Sequence, residues 1–122
     1  MPSNFQSGYE LIERDAVDTT VDLDDAQAVT ANALRGKITI TTKAGVGIPN
    51  GTNVAVTLNN TFIKSDSMVI SRFIGVGQSY TLIFSTMTYH IKDGSCVIWI
   101  ENDSGGTIAA DKTLGVGWEV IN

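Results

Sequence analysis

From Gly36 onward, runs of β-branched and aromatic residues alternate with turn residues at intervals of roughly ten, the spacing of an all-β sandwich or barrel. Ile38 and Ile40 point one way while Thr39 and Thr41 point the other. Val54, Val56 and Leu58 repeat this against Ala55 and Thr57, so each run is expected to bury one face and wet the other. Ala44 to Gly51 reads as a loop. Met68 to Ile74 differs: it is apolar on both faces except at Ser71 and Arg72, as a strand covered on both sides would be. Tyr80 to Ile91 and Ser95 to Asn102 form the clearest hairpin, separated by Lys92-Asp93-Gly94, where Asp-Gly supplies the positive φ angles of a tight primed turn. In the closing run, Leu114, Val116, Trp118 and Val120 alternate with Gly115, Gly117 and Glu119. A strand with this apolar face belongs inside a sheet or against a neighbour, because as a bare edge it would aggregate.

A chain of 122 residues holds one modest core, which the strand-rich residues 28–122 are expected to supply. Residues 1–27 read as an acidic N-terminal arm. Residues 1–30 carry seven acids (Glu10, Glu13, Asp15, Asp18, Asp22, Asp24, Asp25) and one base, Arg14, for a net −6. The other residues hold six acids and seven bases, for +1, which together give the −5 of the whole chain. Where arm meets body, Leu23 to Arg35 is ambiguous. Its alanines favour helix, with Asp24 or Asp25 as cap, while Val29, Ala31 and Ala33 alternating with Thr30 and Asn32 favour a strand, and the period carries the reading. Phe5, Tyr9, Leu11, Ile12, Val17 and Val21 are apolar groups set among the acids of the arm. They cannot build a core of their own, but they can add buried area against a neighbouring surface, and about twenty extended residues reach roughly 60 Å.

Net negative charge argues against nucleic acid as a partner, since phosphate binding depends on a basic surface. The start Met1-Pro2-Ser3-Asn4-Phe5 has neither the basic nor the apolar region of an export signal, and no apolar stretch approaches the roughly twenty residues that span a bilayer. The chain is therefore expected to be soluble where it is made. Asn50-Gly51-Thr52, Asn59-Asn60-Thr61 and Asn102-Asp103-Ser104 match the glycosylation pattern but read as turn chemistry. The single cysteine, Cys96, excludes an intramolecular disulfide framework and reads as a buried, unreactive thiol.

No constellation reads as an active site. Gly-Val-Gly occurs at 45–47, 75–77 and 115–117, yet none of these follows a strand and opens a helix, as a phosphate cradle requires, so turn and bulge roles are expected. His90 has no second histidine for a metal pair, and catalysis would need Asp93 or Glu101 to orient it. Asp22-x-Asp24-Asp25 fails the calcium-loop pattern, with Ala26, Gln27 and Ala33 where a third oxygen ligand, a glycine and a bidentate glutamate are wanted. Asn102 and Asp103 are weaker cation candidates still. The expectation is no enzyme, no metal and no cofactor.

The stretch Ala28-Val29-Thr30-Ala31-Asn32-Ala33-Leu34-Arg35-Gly36-Lys37-Ile38-Thr39-Ile40 resembles a pattern in small β-sandwich virion proteins of tailed bacteriophages. There a threonine-rich, asparagine-containing segment leads into Gly-x-Ile-Thr, then a glycine loop and a strand ending in asparagines. Val54 to Asn60, the strand Ser67 to Ile74, the turn at Gly94, the strand end Ile98 to Asn102 and the pair Gly105-Gly106 continue the resemblance over residues 28–122, and the acidic arm has no counterpart in it. The resemblance implies a capsid decoration or cement protein: a homotrimer that binds the major capsid protein on the outside of the shell, is made in the host cytoplasm and is carried in the virion. Phe5, Tyr9, Leu11 and Ile12 are the expected shell or subunit contacts, with Trp99 and Trp118 in the core or trimer seam. A tail-fibre or baseplate module that binds host glycan through Tyr80, Tyr89, Asn102 and Asp103 is the alternative. The expected architecture is all-β, a single antiparallel, jelly-roll-like sandwich with an extended N-terminal arm.

Overall fold

The computed structural model describes residues 16–22, 27–41, 47–76, 84–103, 105–109 and 112–122. Among them lie eight strands and no helix: β1 (Ala16–Asp22), β2 (Ala28–Thr30), β3 (Arg35–Thr41), β4 (Asn53–Asn59), β5 (Met68–Val76), β6 (Phe84–Lys92), β7 (Ser95–Asn102) and β8 (Thr113–Ile121). They form two four-stranded sheets, β1-β3-β8-β5 and β2-β4-β7-β6, packed face to face as a sandwich. The alternation read from the sequence is the reason. Ile38 and Ile40, Val56 and Leu58, Ile98 and Ile100, and Leu114 and Val116 all turn inward and are fully or almost fully buried. Each such aliphatic side chain contributes about 1.5–3 kcal/mol by leaving water.

β3 pairs with β8 and β4 with β7, both antiparallel, so the second half of the chain folds back along the first. The closing strand β8 lies inside its sheet, between β3 and β5, as its apolar face demands. Of the segment before Gly36, Ala28–Thr30 form β2 and residues 33–34 bend, with Val29, Ala31 and Ala33 buried at the alternate positions; residues 23–26 lie outside the described residues. The sheets are mixed, however, rather than purely antiparallel: β1 runs parallel to β3, and β2 parallel to β4. Parallel neighbours need a crossover. Here each crossover is a strand of the opposite sheet, β2 between β1 and β3, and β3 between β2 and β4. Residues 16–22, within the acidic leader, are thus a strand of the sandwich that packs Val17 and Val21 against the core. Phe5, Tyr9, Leu11 and Ile12 lie outside the described residues.

β5 and β6, the edge strands on one side, close against each other. Thr86 Oγ1 donates to the Ser71 carbonyl at 3.1 Å and Thr88 Oγ1 to the Val69 carbonyl at 2.5 Å, joining the sheets through side-chain hydroxyls. Carbonyls that would otherwise offer a template to another chain are thereby occupied. At the β6–β7 turn only Gly94 has positive φ, at 90°, and Asp93 does not, so this is not the doubly left-handed primed turn that Asp-Gly predicts. Outside partners hold it instead: Gly94 N–H donates to Ile63 O at 2.8 Å, and Asp93 Oδ1 accepts Ser65 N–H at 2.8 Å. The remaining left-handed residue of this hairpin is His90, at φ 52°, beside the bulge between Tyr89 and Lys92.

Gly36 controls the first sheet. It faces inward between Val17 of β1 and Trp118 of β8. A Cβ there would fall 2.4 Å from the Val17 carbonyl oxygen and 2.6 Å from the Trp118 ring. Trp118 therefore lies directly on the β3 backbone, and its Nε1–H is buried with no acceptor among the described residues. Leaving such a donor unpaired costs about 1–3 kcal/mol, so shape rather than hydrogen bonding holds the ring. Gly36→Ala is expected to destabilise the fold by about 3 kcal/mol or more, read as a lower urea midpoint, because one obstacle is backbone and cannot rotate away.

Candidate functional site

The residues that could do work lie on the outer faces of the two sheets and at the two poles where the strands turn. On the first sheet, Met68 pairs with Ile121 and Ile70 with Glu119, and Ile74 lies over Gly117, where a Cβ would come within 3.0 Å of its Cδ1. Gly117 is thus a strand glycine that lets a neighbouring side chain cross β8. Ile74 is the extra residue of the β5 bulge, and Gly75 after it pairs with Gly115, so the second and third Gly-Val-Gly motifs meet across the sheet. The sequence predicts β5 to be covered on both faces, but its outer face is bare: Met68 is 60% exposed, Ile70 47% and Ile74 49%, with Ile121 at 42%. Leu34 and Phe62 extend the tract onto the adjoining pole, also exposed. Leu34 O accepts Val120 N–H at 2.7 Å and Phe62 O accepts Asn122 Nδ2–H at 3.1 Å, which brings both beside the end of β8. Grouped exposed apolar side chains of this kind are a candidate interaction surface. Charge is interleaved with it: Arg72 lies between Ile70 and Ile74 opposite Gly117, and Glu119, opposite Ile70, pairs with Arg35 at 3.6 Å.

The outer face of the second sheet is built from cross-strand rows: Met87, Trp99 and Ala55; Tyr89, Val97 and Thr57; Ser85, Glu101 and Asn53. Trp99 is half-buried here, whereas Trp118 is in the core. Near the β6–β7 turn this face opens into a depression of about 330 Å³ lined by Thr57, His90, Ile91, Lys92, Ser95 and Val97. The His90 ring is tilted 54° against Tyr89, with centroids 4.8 Å apart. The two carboxylates considered for orienting His90 are engaged elsewhere, Asp93 with Ser65 and Glu101 with Asp103. In that pair, the hydrogen bond to Asp103, then desolvation and the neighbouring charge, raise the Glu101 carboxyl above its usual range. The Ser85 hydroxyl, then Glu101, hold Asp103 below its own. As pH falls, Glu101 takes the first proton of the two. No group of three or more His, Cys, Asp or Glu among the described residues could hold a metal ion. Asp24 and Asp25 lie outside those residues, as does Tyr80, and Asp22 ends β1 on an exposed edge.

Two asparagines are the polar residues that sequence reasoning undervalued. Asn60 is 1% exposed and Asn102 0%. Asn60 Nδ2 donates to Ala33 O at 2.7 Å, while its Oδ1 accepts Ala33 N–H at 3.3 Å and Phe62 N–H at 3.0 Å, a side chain acting as one more strand partner. At the opposite pole, Asn102 Nδ2 donates to Ile48 O at 2.8 Å and Gly106 O at 2.9 Å, tying together the loops that Ile48 and Ile108 bridge. Asn102, considered for glycan or cation contact, is therefore consumed inside the protein. The signal was in the phase: each asparagine continues an inward-facing alternation, Val56-Leu58-Asn60 and Ile98-Ile100-Asn102, where a solvated turn residue would have broken it.

No protein-family model, curated protein or solved structure matches the chain.

Replacing Asn102 with Leu keeps the volume but leaves two inward-facing carbonyls without their donor. The expected loss is about 2–3 kcal/mol in urea unfolding, with the strand content unchanged by circular dichroism. Burial pushes the Cys96 thiol up to about 11 from an ordinary 9.0. A thiol with its folded pKa raised contributes stability that is whole below pH 9 and is lost as pH rises toward 11. A thiol reagent at pH 8 is accordingly expected to label Cys96 only at the rate of unfolding, and Cys96→Ala to remove that alkaline component of the stability curve.

Proposed function

We propose that this protein is a structural, non-catalytic adhesive module: a capsid decoration protein that binds the outside of a phage shell, as its sequence resemblance implies. One observation carries the reading. β5 has the sequence of a strand covered on both sides, but within this chain it is covered on only one, leaving Met68, Ile70 and Ile74 with Ile121, Leu34 and Phe62 in the solvent. A monomer gains nothing by exposing such a tract beside a strand edge already closed by threonines. A subunit that docks it onto another protein gains about 25 cal/mol for each Å² covered, before the cost of association.

The rest of the molecule supports a part that holds its shape. The core is continuous, both poles are latched by buried amides, and the β5–β6 edges are closed. Repeated around a symmetric shell, contacts of modest individual strength sum through high effective concentration. In this reading the tract contacts the major capsid protein or a sister subunit of a homotrimer, and residues 1–15 add Phe5, Tyr9, Leu11 and Ile12 to the same contact. Ala16, where β1 begins, is in register with Arg35, next to Leu34 of the tract.

Met68→Lys combined with Ile70→Lys tests the reading. Both positions are exposed, so stability is expected to stay within about 0.5 kcal/mol of the parent. Attachment to emptied shells of the virus that encodes the chain, followed by co-sedimentation, should fall at least tenfold. Deleting residues 2–15, which spares β1, should weaken attachment while leaving thermal unfolding in place. Unchanged attachment of the double lysine variant would remove the tract from the mechanism.

A further inference from the structure

The depression on the second sheet lies on the opposite outer face from the apolar tract, and its chemistry is different. We propose that it is a binding site for a carboxylate-bearing sugar residue. Its volume of about 330 Å³ falls at the small end of ligand pockets, enough for one monosaccharide. Thr57 and Ser95 supply two short hydroxyls that can each donate and accept, matching the vicinal hydroxyls of a pyranose. Lys92 supplies a mobile ammonium for the carboxylate. Val97 forms an aliphatic wall suited to the C–H face of the ring, while the Ile91 side chain packs against the core. Among the described residues, no partner engages either hydroxyl or the ammonium.

The backbone gives a second, independent reason. β6 carries one extra residue between Tyr89 and Lys92, and His90 there is the single non-glycine with positive φ among the described residues. Bulges re-aim side chains, and left-handed non-glycine residues persist where surrounding structure holds them. This one directs His90 and Lys92 to the rim of the depression, and the Tyr89 ring braces the imidazole. A phosphate site would be expected to gather several cations or backbone N–H groups. One lysine among hydroxyls and an aliphatic wall fits a sugar acid better.

The test is an NMR titration of the full ¹⁵N-labelled chain with glucuronic acid and with N-acetylneuraminic acid, using glucose and acetate as controls. The expected result is saturable shifts of the Thr57, His90, Lys92, Ser95 and Val97 amides with millimolar affinity for a sugar acid. Lys92→Ala should weaken binding about tenfold. Thr57→Val, which keeps the β-branched strand shape and removes only the hydroxyl, should weaken it severalfold and serves if the lysine variant does not fold. Equal shifts with acetate would reduce the site to a lone cation, and equal shifts with glucose would remove the role of Lys92. Absence of shifts with either sugar acid would eliminate the site. Each of these three results overturns the proposal.

Discussion

The Trp118 indole rests on bare backbone at Gly36, and this contact sets the spacing of the first sheet. Any side chain at residue 36 would push against both the ring and the Val17 carbonyl, so β1, β3 and β8 can assemble only because nothing is there. With β8 seated, its inward Leu114, Val116 and Val120 meet the aliphatic face of the second sheet, and its outward Gly115 and Gly117 leave a shallow surface across which Ile74 can lie. One side of the strand builds the core and the other shapes the exposed tract. Internal packing and external apolarity are therefore coupled through a single strand of alternating large and absent side chains.

Much of the architecture was legible because side-chain period is a direct readout of burial when a sheet has one dry face. Ile38, Val56, Leu58, Ile98 and Val116 lie where alternation puts them. The parallel entry of β1 and β2 was not legible, since direction depends on where the chain crosses between sheets and leaves no mark in a seven-residue strand. Nor was the turn at Asp93-Gly94 what local preference indicates, because Ile63, Asn60 and Ser65 hold it from outside. Tertiary hydrogen bonds override a dipeptide preference where they outnumber it.

The candidate surfaces were less readable than the fold. The Met68 to Ile74 pattern showed that both faces want cover, but only the coordinates reveal which face lacks it. The depression draws on Thr57, Lys92 and Ser95 from three strands, and their proximity follows from register alone. Asn102, which looked like a surface ligand, is an internal tie. A polar residue at a strand end reads the same in sequence whether it faces water or a carbonyl, and the phase of the preceding apolar residues is what separates the two cases.

Among the strands of the described residues, only β6 and β7 are neighbours both along the chain and within a sheet. Every other ladder joins segments separated by at least one strand of the opposite sheet, so its loop-closure entropy must be met before any of its contacts form. A topology of this kind folds in milliseconds to seconds rather than microseconds. The β6–β7 hairpin is the natural place for order to begin. The proposed sugar site would then be built largely on the earliest-formed part of the protein, and the adhesive tract on the part completed last, when β8 closes the first sheet.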